Sequence, residues 1–256
     1  MKDDPHSAAR ELNTRLTELG DPARATKEKA YLRSDLQHRG VKVPLIRRET
    51  RAAIASLSAD KDTLVAFAEE LWAIPVHESR VAAVEVLIRK TGLLDQDDMP
   101  MLDRLIRESE TWALVDSLAT SVVGPVVEHD SRAAKTLDAW AKDDDFWVRR
   151  ASMLALLKQL RAGRGDFERF SRYADSMLAE KEFFIRKAIG WVLRETSKLR
   201  PDLVYAWILP RARAASGVTV REAVRYLEPD QRDEVMRAYE VGRRTSGANR
   251  RKRPRK

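Results

Sequence analysis

A phrase of arginine followed two places on by alanine recurs along this chain, as Arg80-Val81-Ala82, Arg149-Arg150-Ala151, Arg186-Lys187-Ala188 and Arg221-Glu222-Ala223. The last three copies follow one another at about 36 residues and the first stands off by about twice that, so a divergent copy is expected near 112–123. In the first three copies a leucine comes two helical turns after the arginine (Leu87, Leu156, Leu193), which keeps one face buried. A period of this length is that of helical hairpins such as the HEAT type, whose helix pairs bury their apolar stripes only by stacking on their neighbours. Pro22, Pro44, Pro100 and Pro201 stand where first turns should begin, and Gly20, Gly40 and Gly92 stand where helices should stop. The expected fold is all-α: a HEAT-like helical-repeat solenoid, a curved superhelix of stacked helix pairs. It is expected as one domain over 1–242, followed by a basic, irregular tail over 243–256.

Composition narrows the alternatives. Ten glycines and ten prolines in 256 residues are too few for a turn-dense β sandwich or barrel, while 43% hydrophobic and 34% charged residues suit amphipathic helices. The most apolar stretch, Leu118 to Val127, is broken by Thr120, Ser121, Gly124 and Pro125 and is too short to span a bilayer. The opening Met1-Lys2-Asp3-Asp4-Pro5-His6 leads into a charged helix, so no secretory leader is expected and a cytoplasmic monomer without membrane attachment is the default. With no cysteine, and with His6, His38, His77 and His129 lacking ligand spacing, neither a metal nor a cofactor is expected. Asp143-Asp144-Asp145 reads as helix capping, and the absence of a glycine-rich phosphate loop argues against nucleotide hydrolysis.

The formal charge of +8 is held entirely by the last residues, because Arg243, Arg244, Arg250, Arg251, Lys252, Arg253, Arg255 and Lys256 have no acid among them. Residues 1–242 are therefore neutral overall. Such a tail either adds salt-sensitive affinity for phosphate backbones or serves as a solubilising extension. Within the body, one arginine per repeat would form a row of guanidinium groups suited to a phosphate backbone, here Arg149, Arg186 and Arg221. The alternative is that each caps a helix or pairs with an acid of an adjacent helix.

Two tryptophans fall off their helices' apolar stripes. Trp112 and Asp116 lie about 40° apart on a helical wheel, away from the stripe of Leu114, Val115, Leu118 and Val122. Trp191 falls about 130° from the centre of the stripe Ile185, Ala188, Ile189, Val192, between Lys187 and Arg194. Lys187 and Arg194 are expected to meet phosphates. Trp72, Trp140 and Trp207 read as core. A carboxylate beside an exposed indole suggests chemistry on a cationic or sugar-like ligand.

Three segments resemble those of the bacterial AlkD family of DNA alkylation-repair glycosylases: Trp112-Ala-Leu-Val-Asp116-Ser117-Leu118, Phe146-Trp147-Val-Arg-Arg150-Ala151 and Glu182-Phe-Phe-Ile-Arg-Lys-Ala-Ile-Gly-Trp191-Val-Leu-Arg-Glu195. The likeness runs from about residue 25 to 225. It implies a HEAT-like solenoid that holds double-stranded DNA and releases N3- and N7-alkylated purines, with a site formed by Trp112, Asp116, Arg150 and Trp191. Tyr31, in Ala30-Tyr31-Leu32, resembles a further aromatic of the family. The chain departs from the family in its basic tail and at Ala113-Leu114, where more polar residues are usual. The competing expectation is a non-catalytic repeat scaffold that binds nucleic acid or protein, since repeat folds host many functions.

Overall fold

A computed structural model describes residues 4–251, with side chains through Arg243. Among the described residues there is no β-strand, only an isolated bridge between Gln37 and Val76. The chain forms two compact units that divide between Ala134 and Lys135. Among the described residues no helix is long and apolar enough to cross a membrane.

The first unit contains α1 (Pro5–Glu18), α2 (Pro22–Leu32), α3 (Val43–Ser56), α4 (Lys61–Ala73), α5 (His77–Arg89), α6 (Met99–Ser109), α7 (Trp112–Leu118) and α8 (Gly124–His129). Helix α1 packs on α3 and α4, α4 and α3 both pack on α5, and α5 meets α7. Thus α7 stacks beside the Arg80 helix as the divergent copy. The second unit contains α9 (Ala134–Trp140), α10 (Phe146–Leu154), α11 (Leu157–Arg161), α12 (Phe167–Met177), α13 (Phe183–Ser197), α14 (Pro201–Ile208), α15 (Gly217–Ala223) and α16 (Pro229–Arg251). Its repeat helices stack in order, α10 on α13 and α13 on α15, with α12, α14 and α16 behind them.

The sequence period appears physically as bonds between equivalent positions one repeat apart. The Trp72 indole donates to Glu108, 36 residues on, and the Trp207 indole donates to Ser171, 36 residues back. Arg211 pairs with Asp175 at the same separation, and the Tyr173 hydroxyl donates to Asp138 across 35 residues. Leu114, Val115, Leu118 and Val122, like Ile185, Ala188, Ile189 and Val192, are buried as their wheels require. Burying each larger aliphatic side chain contributes on the order of 1.5–3 kcal/mol. Trp72, Trp140 and Trp207 are likewise core.

All four prolines lie in the first turns of α2, α3, α6 and α14, where a missing N–H costs nothing. Gly20 follows α1 and Gly92 follows α5, but Gly40 does not end a helix. Helix α2 stops at Arg33, whose φ of 50° turns the chain left-handed, whereas Gly40 lies where a Cβ would come within 2.2 Å of the Asp21 carbonyl oxygen. Asp145 caps α10 by accepting from the Trp147 amide, in agreement with the capping expected of the acidic triplet. Helix α16 runs to Arg251; of the tail expected over 243–256, the side chains beyond Arg243 and residues 252–256 lie outside the described residues.

Two close approaches set stability. Gly190 lets α15 approach α13, since a Cβ there would lie 2.9 Å from the Glu222 Cβ and 3.2 Å from the Thr219 Cα. Gly190→Ala should destabilise the protein by about 1–3 kcal/mol, read as a lower urea midpoint; an unchanged midpoint would show that α15 can shift freely. In the first unit the His38 and His77 rings stack 4.5 Å apart, although the sequence separates them. Burial, helped by His38, pushes the His77 pKa down to about 4. Because the folded value lies below the unfolded one of 6.5, the unfolded state takes up the proton first. Stability is therefore whole above pH 6.5 and should fall by up to about 3 kcal/mol toward pH 4. Thermal midpoints across this window should decline less steeply in His77→Gln; an equal slope would clear His77 of the effect.

Candidate active site

Asp116 and Trp112 owe their placement to a turn that is held from the neighbouring helix. Helix α6 ends at Glu110, a non-glycine residue with φ of 47°, and α7 begins two residues later at Trp112. Arg80, on α5, donates through Nη1 to the Glu108 carbonyl at 2.6 Å and through Nε to the Trp72 carbonyl. Its guanidinium lies over the Trp72 ring, 4.8 Å from the centroid, while the same indole donates to the Glu108 carboxylate. Three elements therefore fix the point at which α7 starts. From there the helical repeat sets Trp112, Ala113, Asp116 and Ser117 on the half-buried side, with Leu114, Val115 and Leu118 inward.

Tyr31 meets Trp112. The two rings lie edge to face, 5.8 Å apart at 88°, with Tyr31 72% exposed. Arg33 and Glu110 are the non-glycine residues of positive φ among those described, and each follows or precedes one ring of this pair by two residues. Such left-handed residues cost on the order of 1–3 kcal/mol and concentrate at functional sites. Beyond Asp116, the helix widens to a π turn over Ala119–Val123, where the Gly124 amide donates to the Ala119 carbonyl. Pro125, lacking an N–H, comes two residues after it. The Thr120 hydroxyl donates back to the Asp116 carbonyl at 2.7 Å.

In the second unit, Trp191 is half-buried on α13 and shares its side with Lys187 and Arg194, as its wheel predicts. These two cations, expected at phosphates, are engaged within the unit. Both bind Glu222 on α15, Lys187 through Nζ at one carboxylate oxygen and Arg194 through Nη1 at the other. Burial would raise the Glu222 pKa, but the Lys187 hydrogen bond and the Arg194 charge outweigh it and hold the group below its ordinary value. Glu222 is thus a missed residue. Its signal lay in the repeat phrase itself, one place after Arg221, on the helix that Gly190 admits.

The repeat arginines mostly follow the bland alternative of capping and pairing. Arg149 donates to both carboxylate oxygens of Glu180 and to the Asp143 and Asp144 carbonyls, and Arg186 donates through Nε to the Glu180 carbonyl. Arg221 is exposed. Arg150 is only 3% exposed and donates to the Phe184 carbonyl, with its guanidinium 5.7 Å from the Phe184 ring centroid. It therefore ties α10 to α13, a task its sequence did not disclose, and presents little surface to a phosphate. Near it, Phe146, Trp147 and Phe184 form a cluster with neighbouring centroids 4.5 and 4.8 Å apart.

Glu28, His38 and Glu78 each bring one potential ligand atom within 4.8 Å of the others, a grouping the sequence separations conceal. Glu78 is already committed to the backbone, accepting from the Arg39, Gly40 and Val41 amides. It shapes the loop between α2 and α3.

Comparison with known proteins gives this geometry a context. One solved structure with the same fold is a predicted DNA alkylation repair enzyme from Enterococcus faecalis, 20% identical, with a TM-score of 0.70 over 82% of this chain and 97% of that one. Another is AlkD2 from Streptococcus mutans, 17% identical, with a TM-score of 0.51 over 84% of this chain and 97% of that one. At these identities the likeness establishes the all-α helical-repeat fold. No curated protein sequence matches the chain. The sequence profile of the DNA alkylation repair enzymes matches residues 12–227, most of the chain, and this protein belongs to that family.

Proposed function

We propose that this protein is a monofunctional DNA glycosylase, acting as a cytoplasmic monomer, that hydrolyses the N-glycosidic bond of cationic N3- and N7-alkylated purines in duplex DNA. The observation that carries the reading is the half-buried face of α7, where an acid and an indole are presented together and Tyr31 abuts the indole. Family membership supplies the setting of alkylation repair.

The chemistry follows from the charge on the substrate. Alkylation at N7 of guanine or N3 of adenine leaves the purine cationic, so it can depart with the glycosidic electron pair and without a proton from a general acid. One carboxylate then suffices. As the bond stretches, positive charge develops on the deoxyribose, as in the oxocarbenium-like transition states of glycoside hydrolysis. Asp116 stabilises that charge and orients the attacking water, which becomes the new hydroxyl at C1′ and gives up a proton to solvent. The electron-rich face of Trp112 favours the same cationic character. Arg150 is assigned to holding α13 through Phe184, and so to positioning the helix that carries Trp191.

Asp116→Asn should slow 7-methylguanine release from a defined duplex by about 10²–10³-fold, by analogy with the loss of one preorganised electrostatic stabiliser. Uracil and hypoxanthine, neutral leaving groups in the same duplex, should be released poorly by the wild type. Single-turnover base release checks both; undiminished release by the variant removes Asp116 from the mechanism.

A further inference from the structure

A cavity of about 470 Å³ in the second unit is bordered by Arg186, Arg213 and Arg243, together with Ser216, Gly217 and Tyr239. No acid lines it among the described residues. Other arginines of the unit are paired with acids, Arg149 with Glu180, Arg169 with Asp138, Arg194 with Glu222 and Arg211 with Asp175. Three cations around one open space repel one another, and an anion is the group that relieves the repulsion.

The cavity wall is closely built. A Cβ at Gly242 would lie 2.7 Å from the Arg213 carbonyl oxygen and 2.8 Å from its Cα, so this glycine is needed for α16 to close on the turn before α15, and the Tyr239 hydroxyl reaches to within 2.5 Å of where a Cβ on Gly217 would lie. The Arg243 guanidinium rests 6.0 Å from the Tyr239 ring centroid, and the Arg186 guanidinium is anchored through Nε on the Glu180 carbonyl at 2.7 Å. Arg213 is exposed. The planar forks of arginine suit the oxygens of a phosphate.

We infer that this arginine pocket binds a phosphodiester of the DNA backbone, a contact that adds affinity without reading sequence. The inference rests on DNA as the protein's partner; it keeps Arg186 from the expected row and adds Arg213 and Arg243, in a pocket that no acid lines among the described residues.

The test is binding of the full chain to an undamaged duplex over a range of salt, with base release from a 7-methylguanine duplex measured in parallel. In the double variant Arg213→Gln, Arg243→Gln, the slope of log affinity against log salt should shrink by roughly 0.9 for each arginine that meets a phosphate. As a control, the double variant Arg232→Gln, Arg237→Gln, two exposed arginines of α16 outside the pocket, removes the same net charge and should change the slope less. A double variant no different from this control, with wild-type base release intact, overturns the pocket and leaves the glycosylase reading standing. Reduced binding by the double variant when the wild type releases no base supports the pocket and sinks that reading instead. Calorimetric titration with inorganic pyrophosphate provides the last arm. Heat that only the wild type gives, with duplex affinity and slope unaltered in the variant, would assign the pocket to a small free anion and overturn the DNA assignment.

Discussion

The guanidinium of Arg80 joins the Trp72 and Glu108 carbonyls while covering the Trp72 ring, and the start of α7 depends on it. A helix of seven residues has little stability of its own, because nucleation outweighs the few bonds it adds. Its direction is set by the strand of backbone that enters it. Here that backbone is a left-handed turn at Glu110, and a cation donating to the Glu108 carbonyl satisfies an acceptor that the helix end would otherwise leave open. The orientation of the face bearing Trp112 and Asp116 is therefore decided in the preceding repeat.

Charge is used in the body chiefly to fasten one helix to the next. Glu222 receives cations from two turns of α13, Glu180 receives a fork from Arg149, and Glu195 is met by Arg161, Arg194 and Lys198. These pairs show how a body rich in arginine is neutral overall, with many of its cations engaged by acids of adjacent helices. Each half-exposed pair contributes little stability alone. Its effect is on register, because a guanidinium fork fits one carboxylate position and not that of the next turn.

Much of the architecture was legible because it depends on periodicity. The arginine phrase located the stacking helices, the proline positions located first turns, and the wheels of 112–122 and 185–194 sorted buried from half-buried residues correctly. What escaped was partnership across repeats. Arg150 and Lys187 look like any surface cation in one dimension, and only the approach of Phe184 and Glu222 from the next helix decides their use. The His38–His77 stack was hidden for the same reason, since ring contact across a loop leaves no local pattern. Gly40 shows a related limit: a glycine marks an unusual backbone need, but close approach and helix termination share that signature. The pairing of Tyr31 with Trp112 is a case where the resemblance pointed to a residue that no wheel would select.

The π turn at Ala119–Val123 has a consequence for how the helix bearing Asp116 can vary. Each residue added to an α-helix advances the rotational phase of everything beyond it by about 100°. A widened turn absorbs one surplus residue without passing that rotation along, so the stretch holding Trp112 and Asp116 and the stretch anchored by Val126 are phased independently. Deleting one residue within 119–123 should let the helix close as a regular spiral, whereas the same deletion at 113–115 would rotate Asp116 by about 100° relative to the turn that carries Trp112. A length change is thus absorbed on one side of Asp116 and passed on as a rotation on the other.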